Sequence, residues 1–166
     1  MMARRKKQHG STPATTTLTG LGVAYVTHTY DHDPAVDSYG REAADSLGVE
    51  PDRIFKTLLA SVDGALTVAI VPVLAALDLK TLARAAGGRK AVMADPTEAE
   101  RATGYVVGGI SPVGQRKPLP TILDESALAH PTMLVSGGRR GFDIELAPSD
   151  LVTATAATIA TIARRG

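Results

Sequence analysis

The sequence predicts a single domain of mixed α/β class, with a mixed, largely antiparallel sheet or a partly closed β-barrel surrounded by helices. Three observations predict this class. The chain has 166 residues, of which 44% are hydrophobic and 21% are charged, as is typical of one globular domain. Helix-capping patterns alternate along it with runs of β-branched residues. Two of those runs are separated only by Asp63 and Gly64, so at least one pair of strands is antiparallel.

The first predicted elements are a helix, a strand, a turn and a second helix, at residues 12–22, 23–30, 31–34 and 38–47. Thr12 is a suitable N-cap and Pro13 suits the first helical position, and a glycine at position 20 or 22 would end the helix. The strand is rich in β-branched and aromatic residues. Ser38 would cap the second helix, and Gly48 would end it.

The clearest unit is a β-hairpin. Residues 54–62 and 65–73 are two β-type runs, and only the Asp-Gly pair at 63–64 separates them. Such a pair readily adopts the left-handed backbone that a tight two-residue turn requires. We therefore expect two adjacent antiparallel strands here.

Two further helices are predicted at residues 78–86 and 95–104, with a short strand around Val92 between them. Each helix begins at an aspartate cap, and glycines at positions 87, 88 and 104 would end them. In the second helix, Pro96 suits the first position, and Glu98 has the spacing of a capping box.

The last third of the chain begins with an irregular segment. Residues 108–120 contain three glycines and three prolines in thirteen positions, too many for a regular element. Strands are then expected at 121–123, 132–136 and 142–146, with a glycine-rich loop at 137–141 joining the last two. A C-terminal helix would run from about Ser149 to Arg164.

The composition excludes several kinds of chemistry. The chain has no cysteine, which excludes disulfides, cysteine nucleophiles and thiolate metal sites and suits a cytoplasmic protein. Tryptophan is absent and aromatic residues amount to 4%, so a base-stacking platform is not expected. No apolar run approaches the roughly 20 residues that a membrane-spanning helix needs, so no membrane partner is expected.

The first residues carry their own charge. Arg4, Arg5, Lys6 and Lys7 form a basic run, and residues 1–17 contain no acidic residue. Subtracting these four from the 18 basic residues leaves 14 against 17 acidic ones, so the rest of the chain has a net charge of about −3. We expect a basic disordered tail over residues 1–11 and a folded domain over 12–166. The tail either only solubilises the protein or attracts nucleic-acid phosphates.

One segment has the residue types of a metal site. His28 and His32 would share one face of a strand, with Asp31 and Asp33 nearby. Polar residues at a strand-to-turn boundary more often bond to the backbone of the turn. We therefore expect these residues to form the turn, and we expect neither a metal nor another cofactor.

Lys56 is a stronger candidate for a functional residue. Strand alternation places it on one face with Ile54, Leu58 and Ala60, and that face is otherwise apolar. A lysine in this position either extends its ammonium to the edge of the sheet or points into a cavity that takes an anionic ligand. Both interpretations stay open from the residues alone.

Two glycine-rich loops add candidate ligand groups. Residues 108–112, Gly-Gly-Ile-Ser-Pro, offer backbone amides that can bind a phosphate, a carboxylate or a carbonyl oxygen, although glycines also merely permit turns. In the second loop, Arg139 and Arg140 suit phosphate contacts or a solvated hairpin tip, and Asp143 follows. Together with Lys56, these loops indicate a pocket for a small anionic or ester-bearing ligand.

These segments resemble the YbaK/EbsC family of bacterial prolyl-tRNA editing proteins. The matching segments in this sequence are Thr-Tyr-Asp-His-Asp-Pro (29–34), Phe-Lys-Thr-Leu-Leu (55–59), Met-Ala-Asp-Pro (93–96), Thr-Gly-Tyr-Val-Val-Gly-Gly-Ile-Ser-Pro-Val-Gly-Gln (103–115), Leu-Pro-Thr-Ile (119–122) and Val-Ser-Gly-Gly-Arg-Arg-Gly-Phe-Asp-Ile-Glu-Leu (135–146). The resemblance extends over about residues 12–164 and leaves out only the basic tail. It implies a YbaK-like fold, in which helices surround a mixed or partly closed sheet.

The resemblance also implies an activity, that of an aminoacyl-tRNA deacylase that removes cysteine from mischarged tRNA(Pro), with Cys-tRNA(Cys) as a second candidate substrate. The chain has no cysteine and no serine with an evident histidine partner, which disfavours a protein nucleophile. The family scheme uses the thiolate of the bound cysteine, which attacks its own ester carbonyl. A water nucleophile remains the alternative.

Site residues follow from the resemblance position by position. Lys56 would fix the 3′ end of the tRNA through a phosphate, and the Gly108 backbone would bind the aminoacyl group. The remaining pocket residues implied by the resemblance and by the first glycine loop are Tyr30, Tyr39, Thr57, Gly109, Ile110, Ser111, Pro112, Ser136 and Asp143. Tyr39 departs from the family pattern, since relatives often carry phenylalanine there. Arg139 and Arg140 are the candidate phosphate contacts.

Two alternative functions stay open at this stage. The protein could be an editing deacylase for alanine esters, or a tRNA-binding or regulatory relative without turnover. In each case the expected partner is aminoacyl-tRNA, and the family resemblance implies a complex with prolyl-tRNA synthetase.

Overall fold

A computed structural model describes the protein over residues 11–31 and 39–165, with residues 39–41 described by their backbone alone. Within this part the helices are α1 (Pro13–Leu21), α2 (Tyr39–Leu47), α3 (Leu79–Ala85), α4 (Pro96–Thr103) and α5 (Pro148–Thr155). The strands are β1 (Val26–Thr29), β2 (Phe55–Val62), β3 (Ala65–Pro72), β4 (Ala76–Leu77), β5 (Ala91–Met93), β6 (Thr121–Asp124), β7 (Met133–Arg139), β8 (Phe142–Leu146), β9 (Thr158–Ala160) and β10 (Ala163–Arg164). Short 3₁₀ turns lie at Pro51–Arg53 and Glu125–Ala129.

The described strands form three sheets. The largest has the order β5-β2-β3-β6-β9, antiparallel from β5 to β3 and parallel from β3 to β9. A second sheet, β1-β8-β7, is antiparallel, and β10 pairs with β4. None of these described pairings closes a sheet on itself. The predicted mixed α/β domain is therefore confirmed with open sheets rather than a barrel.

The core lies on both faces of the large sheet. Alternate residues of β3 point to opposite sides, so Val68 and Ile70 pack in one apolar cluster and Ala69 and Val71 in another. The first cluster also holds residues of β7 and β8 and the buried Leu18 of α1. The second sheet and α1 therefore cover one face, and α3 with the C-terminal strands covers the other.

Local sequence signals placed most elements well. The predicted hairpin is confirmed, with continuous pairing from Phe55↔Pro72 to Val62↔Ala65 and positive φ angles of 50° at Asp63 and 90° at Gly64. The helices predicted to begin at residues 12, 78 and 95 are confirmed, because the side chains of Thr12, Asp78 and Asp95 each accept a backbone hydrogen bond from the first turn. The strand predicted at 23–30 is shorter and covers residues 26–29.

Two predicted elements were wrong. The C-terminal helix predicted for 149–164 ends at Thr155, and Ala156 has a left-handed φ of 57°. The chain then forms β9, which pairs in parallel with β6, and β10. The predicted loop at 137–141 is mostly strand, since β7 continues through a bulge to Arg139, which pairs with Phe142. In the C-terminal segment, pairing with a strand distant in sequence determines the local structure, whereas the loop at 137–141 is shortened by pairing within its own hairpin.

Several predictions fall wholly or partly outside the described residues. They are the basic tail, the capping role of Ser38 and the turn at 31–34 beyond Asp31. In the described part of the chain, no helix combines the length and the apolarity needed to cross a bilayer.

Candidate active site

A cavity of about 470 Å³ lies where the start of β2, the β7–β8 hairpin and the segment after α4 meet. Its polar side chains are Tyr30, Lys56, Thr57, Ser136, Arg139 and Asp143. The rest of its lining is the Gly108 backbone and the apolar residues Ile54, Phe55, Leu58, Leu59, Val73, Met93, Ala94, Pro96, Ala99, Val107 and Ile110. The volume falls within the range of about 300–1,000 Å³ that is typical of small-molecule sites.

The structure brings together eight of the residues selected from the sequence. They are Tyr30, Lys56, Thr57, Gly108, Ile110, Ser136, Arg139 and Asp143, and all of them line the cavity. Gly109, Ser111, Pro112 and Arg140 do not line it. The side chain of Tyr39 lies outside the described residues, although its backbone begins α2.

Lys56 is a half-buried cation at the wall of the cavity. It lies in the second position of β2, opposite Val71 of β3. Burial lowers the pKa of its ammonium, and no described residue forms a hydrogen bond or ion pair with it. Its charge is therefore available to an anionic group that enters the cavity.

Thr57 also faces the cavity with an unused polar atom. Its Oγ1 is a buried side-chain oxygen that has no hydrogen-bond partner among the described residues. A buried hydroxyl without a partner costs about 1–3 kcal/mol. A ligand in the cavity could supply the missing hydrogen bond.

Asp143 of the second sheet contributes a buried carboxyl group to the cavity lining. It lies in β8 directly across from Ser136 of β7, and only 7% of it is exposed. Burial raises the pKa of Asp143 to about 7. Burial, together with the negative charges of Asp143 and Glu42, raises the pKa of the Tyr30 phenol well above its ordinary value, so the phenol stays protonated.

The segment that carries Gly108 is held from two sides. The Val107 N–H donates to Oε2 of Glu100 in α4 at 2.8 Å. Nη2 of Arg140, at the hairpin tip, donates to the Val107 carbonyl oxygen at 2.8 Å. Gly108 follows with a φ of 94°, and no described residue accepts a hydrogen bond from its N–H. The peptide before Gly108 is thus fixed, while the Gly108 amide stays available at the cavity.

The residues of the first glycine loop that do not line the cavity have packing roles. A Cβ on Gly109 would lie 2.8 Å from the Arg139 Cα, so only glycine allows the loop to approach β7 this closely. Ser111 is fully buried, and its Oγ accepts from the Val113 N–H at 3.2 Å. Pro112 is buried as well.

In the second loop, Arg139 is half-buried and Arg140 is exposed at the hairpin tip. The Arg139 guanidinium lies 4.3 Å from the centroid of the Phe142 ring, and Arg140 is engaged with Val107. Sequence reasoning missed Glu100 and the exposed apolar residues Met93 and Val107 at the cavity. No sequence signal pointed to Glu100, since its partner lies seven positions away on an irregular segment.

The histidine of the proposed metal segment has another partner. Nε2 of His28 lies 2.7 Å from Oε1 of Glu145, whose other oxygen accepts from Arg53 at 2.7 Å. His32 lies outside the described residues. Within residues 11–31 and 39–165, no group of three histidine, aspartate or glutamate side chains is placed to hold a metal ion.

Comparison with known proteins then assigns the fold and its cavity to a family. A family model described as an aminoacyl-tRNA editing domain matches residues 33–154. The chain belongs to the aminoacyl-tRNA editing domain family. The family predicted from the sequence is thereby confirmed, and its editing domain contains every cavity-lining residue except Tyr30.

Individual proteins are similar to this chain over different lengths. The candidate Cys-tRNA(Pro)/Cys-tRNA(Cys) deacylase EbsC of Enterococcus faecalis is 45% identical over 114 residues, which cover 68% of this chain and 69% of EbsC. The proline–tRNA ligase of Moorella thermoacetica is 41% identical over 68 residues, which are 41% of this chain but 12% of the ligase. A crystal structure of a candidate trans-editing enzyme for prolyl-tRNA synthetase is 30% identical, with a TM-score of 0.77, and the match covers 99% of this chain and 97% of that one.

Proposed function

We propose that the protein is a trans-editing deacylase that removes cysteine from mischarged tRNA(Pro), with Cys-tRNA(Cys) as a second substrate. The observation that carries this proposal is the cavity, which combines an unpaired ammonium at Lys56 with an available backbone amide at Gly108. Cysteine and proline are similar in bulk. The aminoacylation site of a synthetase distinguishes two amino acids that differ by one methylene group by only about 10–200-fold. A second site is therefore needed to clear the error.

Lys56 holds the reacting end of the tRNA in this proposal. Its ammonium faces the cavity without a described partner, and a phosphate near the 3′ terminus supplies the missing negative charge. Thr57, the next residue of β2, also lines the cavity, and its unpartnered Oγ1 bonds to the same terminal nucleotide. Both contacts position the ester relative to the Gly108 segment.

Gly108 stabilises the ester oxygen as charge builds on it. Its N–H is available, and the Glu100 and Arg140 contacts to Val107 fix the preceding peptide. A fixed donor of this kind does not reorganise during the reaction, which is the property of an oxyanion hole.

The attacking atom comes from the substrate. The chain has no cysteine, and neither described histidine, His28 or His130, lines the cavity. The substrate thiolate attacks the ester carbonyl carbon, a carbon–sulfur bond forms, and the bond to the ribose oxygen breaks. The products are a cyclic thioester and tRNA whose ribose oxygen takes up a proton.

Asp143 is the group that accepts the thiol proton. Burial raises its pKa to about 7, so near neutral pH it exchanges a proton readily. An ordinary thiol has a pKa of about 8.5, and the two groups are therefore close enough in acidity for transfer. Asp143 pairs with Ser136 across β7 and β8, and both residues line the cavity together with Tyr30.

A substrate panel tests the activity and the nucleophile together. We expect deacylation of tRNA(Pro) charged with cysteine, and rates at least about 100-fold lower for alanine and serine esters, which lack the thiol. Comparable rates for all three esters would show that water attacks. Rapid loss of alanine alone would identify an alanine-editing enzyme, and no turnover of any ester would leave a tRNA-binding protein.

A Lys56→Ala variant tests the site. We expect a loss of about 100-fold or more in kcat/KM on Cys-tRNA(Pro), because the reacting end loses its anchor. Lys80→Ala removes an exposed lysine of α3 that does not line the cavity, and it serves as the matched control. Wild-type rates for Lys56→Ala would show that the site assignment is wrong.

The proposed partners are aminoacyl-tRNA and prolyl-tRNA synthetase. The similarity to part of a proline–tRNA ligase supports this, because a free-standing domain of the same family would meet the same product in trans. Co-elution of the protein with prolyl-tRNA synthetase and tRNA(Pro) checks the complex. Its absence at micromolar concentration would contradict the synthetase as a stable partner.

A further inference from the structure

Three exposed cations gather at the end of α4, beside the segment that leads to the cavity. The N–H of Arg116 donates to the Thr103 carbonyl oxygen at 2.9 Å, and the N–H of Lys117 donates to the Ala102 carbonyl oxygen at 3.2 Å. These two bonds place residues 116–117 along the last turn of α4, which also carries Arg101. We call Arg101, Arg116 and Lys117 the basic corner.

The basic corner has no described negative partner. None of its three side chains forms an ion pair with a carboxylate in residues 11–31 or 39–165. Of the two carboxylates of α4, Glu98 lies in the first turn and Glu100 accepts from the Val107 N–H. Outside the basic tail the chain has a net charge of about −3. The basic corner is therefore a positively charged region on a domain whose net charge is negative.

Arg116 is partly ordered before any ligand arrives. Its Nη1 lies 3.4 Å from the Arg101 carbonyl oxygen at the negative end of α4. A Cβ on Gly104 would lie 3.6 Å from its Nε, so the guanidinium covers this glycine. The guanidinium has five N–H donors, and most of them remain exposed for a bidentate contact with an oxyanion.

The basic corner lies a short distance from the cavity along the chain. Gly104 is covered by Arg116, and Gly108 lines the cavity. Four residues of extended chain span at most about 14 Å. The phosphates within reach of the basic corner are therefore those within a few nucleotides of the reacting end.

The path between the two sites carries no charge. It consists of Gly104, Tyr105, Val106, Val107 and Gly108. Val106 is 57% exposed and Val107 is 41% exposed, and Tyr105 is buried, with its hydroxyl donating to the Val113 carbonyl oxygen at 2.6 Å. The residues of this path contribute no acidic side chain, and the one carboxylate of α4 beside it, Glu100, is engaged with the Val107 N–H.

We propose that the basic corner binds phosphates of the acceptor end of the tRNA while the charged 3′ end occupies the cavity. This proposal rests on the proposed function and adds the surface by which the substrate outside the cavity is held. The contacts are to phosphates, so they add affinity without reading the base sequence. Arg139 and Arg140, the other cations that the sequence suggested for phosphate contacts, lie on the β7–β8 hairpin, where Arg139 lines the cavity and Arg140 donates to the Val107 carbonyl oxygen.

The test replaces all three cations with neutral side chains of similar length. In the variant Arg101→Gln, Arg116→Gln, Lys117→Gln, we expect kcat/KM on a cysteine-charged acceptor-stem minihelix to fall about tenfold at low salt. The slope of log kcat/KM against log salt should become shallower by about 2–3, since each lost phosphate contact contributes about 0.7–0.9.

A matched control removes three exposed cations elsewhere. Lys80 and Arg84 lie on α3 and Arg164 lies in β10, and all three are exposed. Their replacement by glutamine changes the net charge equally, and we expect at most a twofold effect. Equal losses in the two triple variants would overturn the proposal and leave only a net-charge effect, as would an unchanged salt slope in the corner variant.

Two further readouts separate this proposal from the proposed function. Cleavage of cysteinyl-adenosine, which has no phosphate, should proceed equally in the wild type and the corner variant, and a loss there would indicate damage to the cavity. Binding of uncharged minihelix RNA, measured by fluorescence anisotropy, should weaken only in the corner variant. This result is expected even if the wild type deacylates nothing, and equal binding by wild type and corner variant would overturn the proposal.

Discussion

Two ionisable groups face the cavity in environments that disfavour their charged forms. Burial lowers the pKa of Lys56 and raises that of Asp143 to about 7. Neither group forms an ion pair with a described residue. Both therefore lower the free energy of unfolding at neutral pH, and such destabilising groups persist where the site needs them.

Replacing Asp143 with asparagine should separate stability from activity. The folded-state pKa of about 7 lies above the ordinary 3.8, so the folded protein holds a proton that the unfolded chain has lost between these values. Wild-type stability attributable to Asp143 thus falls as pH rises from about 4 to 7 and stays low above 7. We expect Asp143→Asn to raise the Tm more at pH 8 than at pH 4, while deacylation is lost.

The control for this variant is Glu125→Gln, which removes an exposed carboxylate. His28 lies opposite Asp143 in the β1–β8 register, but its side chain bonds to Glu145. Both variants keep His28, so it does not cause a difference between them. A Tm difference that does not depend on pH, or full activity in Asp143→Asn, would contradict the assigned role.

Glu100 should act on catalysis through the backbone that it holds. Loss of its carboxylate frees the Val107 N–H and loosens the peptide before Gly108. We expect Glu100→Ala to lower kcat by about 10-fold or more with little change in KM, because the oxyanion contact is made only in the transition state. Glu100→Gln keeps an acceptor oxygen and should retain most of kcat. If both variants keep the wild-type kcat, Glu100 has no positioning role.

Among individual residues, the sequence could predict those whose neighbours along the chain are of an unexpected type. Lys56 stands out as a cation among apolar strand residues, and Gly108 stands out in a segment broken by glycine and proline. The Glu100 contact, the unpartnered Thr57 hydroxyl and the raised pKa of Asp143 could not be predicted. Each of them depends on which distant segments pack against the residue, and spacing along the chain does not contain that information.

Elements show the same division between local and distant causes. The Asp63-Gly64 turn and the aspartate caps of α3 and α4 act within a few residues, and these elements were predicted correctly. The C-terminal segment was predicted to be helical from about Ser149 to Arg164, with arginines at the negative end of the helix. In the structure β9 completes the edge of the large sheet beside β6, and this tertiary pairing overrides the helix propensity.

Asp124 is the contact that attaches this C-terminal segment. Its Oδ1 accepts from the Ile162 N–H at 2.9 Å and the Ala163 N–H at 2.8 Å, and its Oδ2 accepts from Ser126. We expect Asp124→Ala to lower the free energy of unfolding by about 3 kcal/mol, because it leaves buried donors without partners. Hydrogen exchange at Ile162 and Ala163 should accelerate most, and slow exchange there would contradict the attachment.

The pH dependence of Asp124 has the opposite sign to that of Asp143. Burial alone would raise its pKa, but the hydrogen bonds from Ser126, Ile162 and Ala163 outweigh burial and lower it. A carboxyl with a lowered folded-state pKa stabilises the protein above its unfolded pKa, and this stability is lost as pH falls through the folded value. The Tm difference between wild type and Asp124→Asn should therefore shrink only below about pH 4.

In the molecule as a whole, the candidate site forms where three segments that are well separated in the sequence meet. The large sheet supplies Lys56, the second sheet supplies Asp143, and the irregular segment supplies Gly108. The Ile54↔Leu134 bridge joins the two sheets beside the cavity. Beyond the cavity the charge is uneven, since the basic corner lies on a domain that is otherwise acidic. Net charge alone therefore does not describe the field that a polyanion would meet at this corner.

The basic tail provides a second test of that uneven charge. Residues 1–10 lie outside the described part of the chain, and they include Arg4, Arg5, Lys6 and Lys7 with no acidic residue. We expect deletion of residues 1–10 to weaken tRNA binding mainly at low salt, where the screening length is about 30 Å at 10 mM against about 8 Å at 150 mM. Replacing only the four cations with glutamine is the matched control and should reproduce the deletion. Because the tail and the basic corner would contact different phosphates, their losses in binding should add. If the protein that lacks residues 1–10 binds tRNA as tightly as the wild type at 10 mM salt, the tail makes no contribution and the folded domain alone binds the acceptor end.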